Sequence, residues 1–276
     1  MNNFSTRTLT GTVFITVMIA GICWNFWSYF LLFSFIALLG TWEFFSLIKE
    51  QISLSQKIAG MLFGAILLAA SGGKYFFPVS DSLFSNGLYL IILIFPAFMI
   101  LRLFRPADLF TLFSPVLFGI LFAILPFCFL ILSFSADSYW SNENNSKTIL
   151  GYFFLIWSND TFAYLTGRAI GRTKLFERIS PKKTWEGTIG GIIFSAVVGY
   201  ILSLYFSELS SFQWMVLALI VSITGTLGDL VESMFKRSLG VKDSGTLLPG
   251  HGGILDRFDG VLLSSPFLAV YLVMIS

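Results

Sequence analysis

The chain has 276 residues, 56% hydrophobic and 12% charged, and a net charge of +2 from 17 Lys+Arg and 15 Asp+Glu. Average soluble domains carry roughly 25% charged residues, whereas the 32 Phe and 7 Trp of this chain supply more apolar surface than a compact core can hide. Most soluble folds are thereby excluded, and so is a nucleic-acid binder, whose footprint would be a basic stripe or domain.

A helix needs about 20 mostly apolar residues to cross roughly 30 Å of hydrocarbon, and the alternation of a β-barrel is absent. Segments are expected near 9–25, 26–48, 57–71, 87–101, 109–134, 149–169, 187–206, 212–235 and 254–275. The start, MNNFSTRTLT, carries only Arg7, and no small-residue cleavage site follows the first apolar run, which reads as a retained membrane helix rather than a signal peptide. The fifth segment is long and contains Pro115 and Pro126, which predicts a kink or a break. The fold class is all-α, a polytopic integral membrane bundle of about nine transmembrane helices. Residues 1–140 form its N-terminal helices and 141–276 its C-terminal catalytic region, within one integrated membrane domain. Cys23 and Cys128 lie inside apolar runs, so neither a disulfide framework nor a thiolate metal site is expected.

Short cytoplasmic loops are enriched in Lys and Arg. With nine spans and the N-terminus inside, all of the 17 Lys and Arg except Lys74 and Lys147 fall on the cytoplasmic side. Two cytoplasmic regions, 166–187 and 236–260, are polar, glycine-rich and charged, and function is sought there. The outside stretch ADSYWSNENNSK reads as a solvated connector.

Charged side chains at membrane depth are costly and mark function. Five carboxylates qualify: Asp160 in WSNDTFAY, Asp229 and Glu232 in GTLGDLVES, Asp256 and Asp259 in GILDRFDG. Residues three apart share a helix face, so Asp229 with Glu232 and Asp256 with Asp259 make two acidic patches able to close on one cation. Mg²⁺ takes oxygen ligands of this kind and completes its shell with waters and substrate phosphates. Pairing with Arg257, Arg237 or Lys236 as buried salt bridges is the structural alternative. Glu43, after Trp42 near the end of the second span, reads at least equally as an interfacial anchor.

In the basic loop SPKKTWEGT, residues 180–188, Lys182 and Lys183 stand beside the hydroxyls of Ser180 and Thr184, ahead of a helix beginning near Glu186. Lysines, hydroxyls and a helix N-terminus suit phosphate oxygens, although a Lys pair at the end of a span is often only a topology determinant. In LLPGHGGILDRFDG, Gly250, Gly252 and Gly253 surround His251, the single histidine of the chain. Such a stretch can present backbone N–H groups to a phosphate or simply form a turn.

The run SMFKRSLGVKDSGTLLPGHGGILDRFD, residues 233–259, resembles the signature of the phosphatidate cytidylyltransferase (CDP-diacylglycerol synthase) family. The matching positions are Ser233, Lys236, Arg237, Lys242, Asp243, Pro249, Gly250, His251, Gly252, Gly253, Asp256, Arg257 and Asp259. NDTFAY, SPKKTWEG and GDLVES are similar to further family segments, while the first 140 residues match only in hydropathy and multiple spans. The resemblance implies a nucleotidyltransferase that condenses CTP with phosphatidic acid, giving CDP-diacylglycerol and pyrophosphate for phospholipid biosynthesis. It implies an active site on the cytoplasmic face of a bacterial inner membrane, among membrane lipids, with Mg²⁺ and room for a second cation.

Metal ligation is assigned to Asp229, Asp256 and Asp259, with Asp160 and Glu232 as second-tier candidates. Lys182, Lys183, Lys236, Arg237, Lys242 and Arg257 are the expected phosphate clamps. Arg257 can instead orient its neighbouring aspartates, and Lys242 can pair with Asp243. Ser180 and Thr184 are assigned as hydroxyl donors, Gly250, Gly252 and Gly253 as substrate contacts, and His251 to a phosphate or the glycine turn. A homodimer is expected from the family alone, and no nucleic-acid partner is expected. A transporter, an enzyme transferring from a CDP-linked lipid to an alcohol, and a CTP-using lipid kinase are the alternatives.

Overall fold

A backbone in lipid has no water to bond, so helices are the economical way to satisfy its N–H and C=O groups within one segment. The computed structural model describes residues 3–72, 115–135, 146–245, 247 and 252–275. Its helices are α1 (Asn3–Cys23), α2 (Phe26–Leu47), α3 (Leu54–Ser71), α4 (Pro115–Ala123), α5 (Leu125–Ser135), α6 (Ser146–Ile170), α7 (Trp185–Ser203), α8 (Ser211–Ser238) and α9 (Leu255–Ile275). Between α6 and α7 lie two short strands, β1 (Lys174–Phe176) and β2 (Ser180–Thr184), paired antiparallel.

Among the described residues, six helical stretches are long and apolar enough to cross a membrane: Phe26–Leu47, Leu54–Ser71, Pro115–Phe134, Trp185–Ser203, Ser211–Ser238 and Leu255–Ile275. The first expected span has a shorter apolar stretch, Thr8–Cys23. The expected span at 149–169 is the 25-residue helix α6, whose Lys147, Asp160 and Arg168 lower its apolarity. The expected span at 87–101, and the His251 and Gly250 positions, lie outside the described residues. The break predicted in the fifth span falls at Ile124, between α4 and α5. Pro126 is the second residue of α5, a position where the missing N–H costs nothing.

Helix starts are set by side-chain caps. Asn25 with Ser28, Ser53 with Gln56 and Ser210 with Gln213 form reciprocal capping boxes, each satisfying two otherwise orphaned donors. The helices associate through aromatic packing and interhelical hydrogen bonds. Phe44 of α2 stacks on Phe235 of α8 at 4.7 Å. The hydroxyls of Tyr152 in α6 and Ser264 in α9 meet at 2.6 Å, and Ser265 donates to the Pro126 carbonyl at 2.8 Å.

The α6–α7 crossing is made of small residues. A Cβ at Gly187 would stand 2.7 Å from the Ala163 carbonyl oxygen and 3.0 Å from Gly167 Cα. Only glycine there lets the backbones approach this closely. At one end of this pair, Lys147 at the start of α6 meets Glu208 beyond α7 at 2.9 Å. The opposite end carries the β1–β2 hairpin and, beside it, the end of α8.

Candidate active site

The basic segment SPKKT, expected as a loop, is strand β2. Its register pairs Lys174 with Thr184 and Phe176 with Ser180. The strand runs directly into α7, where Thr184 is the N-cap and its hydroxyl oxygen accepts from Gly187 N at 3.2 Å. Thr184 therefore serves the helix start with its oxygen. The Glu186 carboxylate accepts from the backbone N–H groups of Arg172 and Thr173, both at 3.1 Å, which fastens the turn ahead of β1 to the first turn of α7. The lysines of β2 are thus held by a cap and a carboxylate rather than by a free loop.

Helix α8 brings Asp229, Glu232 and Lys236 to the same end and stops sharply. Val241 N donates to the Lys236 carbonyl at 3.0 Å and Gly240 N to the Arg237 carbonyl at 3.1 Å. With φ of +69° at Gly240, this is a Schellman ending that needs a left-handed residue.

The chain returns at Gly252, whose φ is +85°, and enters α9, whose first turn holds Asp256. Asp256 is fully engaged inside the protein. Its Oδ1 accepts from Lys236 Nζ at 2.6 Å, and its Oδ2 accepts from Ser244 N at 3.0 Å and Gly253 N at 2.9 Å. Lys236 Nζ also lies 2.6 Å from Glu232 Oε2, so one ammonium serves two carboxylates.

These elements enclose a cavity of about 730 Å³. Asp160 of α6, Asp229 of α8, and Asp256 and Asp259 of α9 line it, facing Lys182 and Lys183 of β2, with Arg168 and Arg257 also in the wall. Asp160 is solvent-exposed and Asp229 and Asp259 half-buried; the surface they expose is cavity wall. Lys183 reaches Asp229 Oδ2 at 2.5 Å, while Ser233 donates to Asp229 Oδ1 at 3.2 Å. The charged neighbours of Asp259 are Asp229, Asp160 and Glu232 against Lys183. The wall as a whole sets four carboxylates against four bases, Arg168, Lys182, Lys183 and Arg257, with the carboxylates gathered around Asp259.

Among the described residues no three carboxylate, histidine or cysteine groups stand close enough to cage a metal. Mg²⁺ needs only one or two carboxylates when a substrate supplies phosphate oxygens, and the acidic wall fits a cation shared in that way.

The structure thus brings together Asp160, Asp229, Asp256, Asp259, Lys182, Lys183, Thr184 and Arg257. Ser180, Glu232, Lys236, Arg237, Lys242, Gly252 and Gly253 are absent from the cavity lining formed by the described residues. Ser180 lies at the far end of β2 from Thr184, and Arg237 donates to the Val241 carbonyl at 2.9 Å. Two parts of the wall escaped sequence reasoning. Arg168 follows Asp160 by eight residues, two helical turns on the same face, a spacing that could have disclosed it. Thr10, Gly11, Phe14 and Ile15 of α1 supply an uncharged wall and give no comparable signal.

A family model described as "Cytidylyltransferase family" matches residues 5–275. The chain belongs to the cytidylyltransferase family. Proteins named phosphatidate cytidylyltransferase from Staphylococcus haemolyticus strain JCSC1435 and Staphylococcus aureus strain COL are each 48% identical over 137 residues, which is 49% of this chain and 52% of theirs. One of the same name from Staphylococcus saprophyticus is 44% identical over 138 residues, 50% of this chain and 53% of its own. The chain thus spans about half the length of the curated relatives it matches.

Proposed function

We propose that this cavity condenses CTP with phosphatidic acid to give CDP-diacylglycerol and pyrophosphate. The observation that carries the reading is the cavity's three-part wall: lysines of β2, carboxylates of α6, α8 and α9, and the apolar face of α1. A nucleoside triphosphate needs the first two, and a lipid phosphate with acyl chains needs the third. The names of the relatives matched over half their length agree with it.

In the reaction an oxygen of the lipid phosphate attacks the α-phosphorus of CTP in line. The new P–O bond forms as the bond from the α-phosphorus to the bridging oxygen of the β-phosphate breaks, and pyrophosphate leaves with that electron pair. The lipid phosphate is already ionised near neutral pH, so neither a protein nucleophile nor an obligatory general base is needed. Catalysis is then positioning and charge neutralisation. Lys182, Lys183 and Arg168 hold phosphate oxygens, and Asp160, Asp229 and Asp259 are the residues that would hold Mg²⁺. When bound, Mg²⁺ supplies neutralisation of the charge gathering on the leaving pyrophosphate. Asp229 joins that set as Lys183 turns from its carboxylate to a phosphate oxygen, whereas Asp256 joins it only by giving up Lys236 and two backbone donors, and its place here is to fix the start of α9. Substrates enter from the cytoplasm in this reading, because the cavity end of the bundle gathers Arg168, Arg172, Lys174, Lys182, Lys183, Lys236 and Arg237, in accord with the positive-inside rule.

Incubation of the purified full chain with phosphatidic acid, Mg²⁺ and α-labelled CTP tests the reading. Label in the lipid phase with equimolar pyrophosphate in water is expected. Release of CDP instead would identify a CTP-using lipid kinase, and absence of any CTP turnover by folded protein would refute the proposal.

A further inference from the structure

Glu43 sits in the N-terminal half, 201 residues before its side-chain partner Ser244. An interfacial anchor would be solvated, but Glu43 is 4% exposed. Its Oε2 accepts from Ser244 Oγ and from Leu255 N, both at 2.9 Å. Ser244 follows the end of α8, and Leu255 is the first residue of α9, whose N–H has no partner within its own helix. One carboxylate oxygen therefore ties the two ends of the connection between α8 and α9. From the other side, Asp256 Oδ2 closes the same pair of ends through Ser244 N and Gly253 N.

The fit around Glu43 is tight. A Cβ on Gly245 or Gly253 would collide with its carboxylate, so both positions leave the space that Glu43 fills. The next residue, Phe44, stacks on Phe235 of α8 with an interplanar angle of 11°, which sets the register of α2 against the helix that carries Lys236. Glu43 does not line the cavity.

We propose that Glu43 is a positioning residue: it holds Ser244 and the start of α9 together, and so places Asp256 and Asp259 for turnover. The proposal rests on the reading of function given above only for its kinetic arm. The N-terminal helices then serve the reaction as well as the membrane.

The test uses the full chain in lipid nanodiscs with Glu43→Met, which keeps volume without an acceptor, and Glu43→Gln, which keeps the acceptor. In Glu43→Met, exchange at the Ser244, Gly253 and Leu255 amides should quicken at least about tenfold. Its kcat should fall roughly 100-fold, as a displacement of about 1 Å can cause, with KM for CTP moving less than about threefold. Glu43→Gln should restore most of both. Unchanged exchange in Glu43→Met, a loss carried by KM, or failure of Gln to rescue overturns the proposal. If Glu43→Met does not fold, Ser244→Ala removes one partner without touching α2; faster exchange at Gly253 and Leu255 supports the role and unchanged exchange overturns it. If the unsubstituted chain transfers no label from CTP, the functional reading fails, while the exchange arm still decides the role of Glu43.

Discussion

Replacing Lys236 by Met should destabilise the protein by about 4 kcal/mol, within the roughly 3–5 kcal/mol typical of removing one partner from a buried ion pair. Lys236 holds Glu232 and Asp256 at 2.6 Å each, and the side chains are 11%, 1% and 9% exposed. At an effective dielectric of about 20, each contact is worth roughly 6 kcal/mol before desolvation, and desolvation removes most of that gross attraction. In the variant, Asp256 keeps its two backbone donors, so the loss falls mainly on Glu232, left enclosed without its partner. The double variant Lys236→Met with Glu232→Gln should recover to within about 1–2 kcal/mol of the starting protein, because the carboxyl that lost its partner goes with it. Unfolding in mixed micelles with an ionic detergent as denaturant, followed by helical circular dichroism, measures both. A single variant within about 1 kcal/mol of the parent, or a double variant no better than the single, would refute the reasoning.

Asp259→Asn should abolish CTP-dependent labelling of lipid while leaving membrane insertion and helicity intact; near-normal turnover would remove Asp259 from the acidic wall that serves the reaction. Gly187→Ala should cost about 1–3 kcal/mol by overpacking the α6–α7 crossing, where the obstacle is the Ala163 carbonyl at 2.7 Å, and a melting temperature equal to the parent's would contradict that crossing. Lys147→Ala removes a partly exposed pair at the far end of the bundle, with side chains 50% and 17% exposed, and should cost less than about 1 kcal/mol with unchanged turnover; a large loss of activity would contradict the placement of the site.

The membrane class and the acidic half of the site were legible because charge stands out against an apolar background, where every ionised group needs a reason. Asp160, Asp229 and Asp259 could be named from sequence, and they line the cavity. Which acid is already taken was not legible. Asp256 looks like Asp259 in GILDRFDG, yet Lys236 and two backbone N–H groups occupy it, and that distinction depends on where α8 ends relative to α9. The hairpin escaped because SPKKT, with Pro181 and two adjacent lysines, has the composition of a loop. A two-stranded ribbon has only edge strands, where a proline is tolerated. Helix α6 shows the converse problem, since the charges of Asp160 and Arg168 that line the cavity also weaken its hydropathy as a span.

The same physical limit explains Glu43. Its neighbours in sequence, Trp42 and Phe44, belong to an apolar helix, and nothing within several residues indicates an acceptor role. Its partners are backbone and hydroxyl donors on the far side of the chain, which carry no charge pattern to search for. The apolar wall of α1 is silent for a related reason: Thr10, Gly11, Phe14 and Ile15 differ little from residues that face lipid. A signature in the last third of a membrane protein therefore identifies the groups that bear charge, whereas the residues that shape and hold the cavity are found only when the distant helices are seen packed against it.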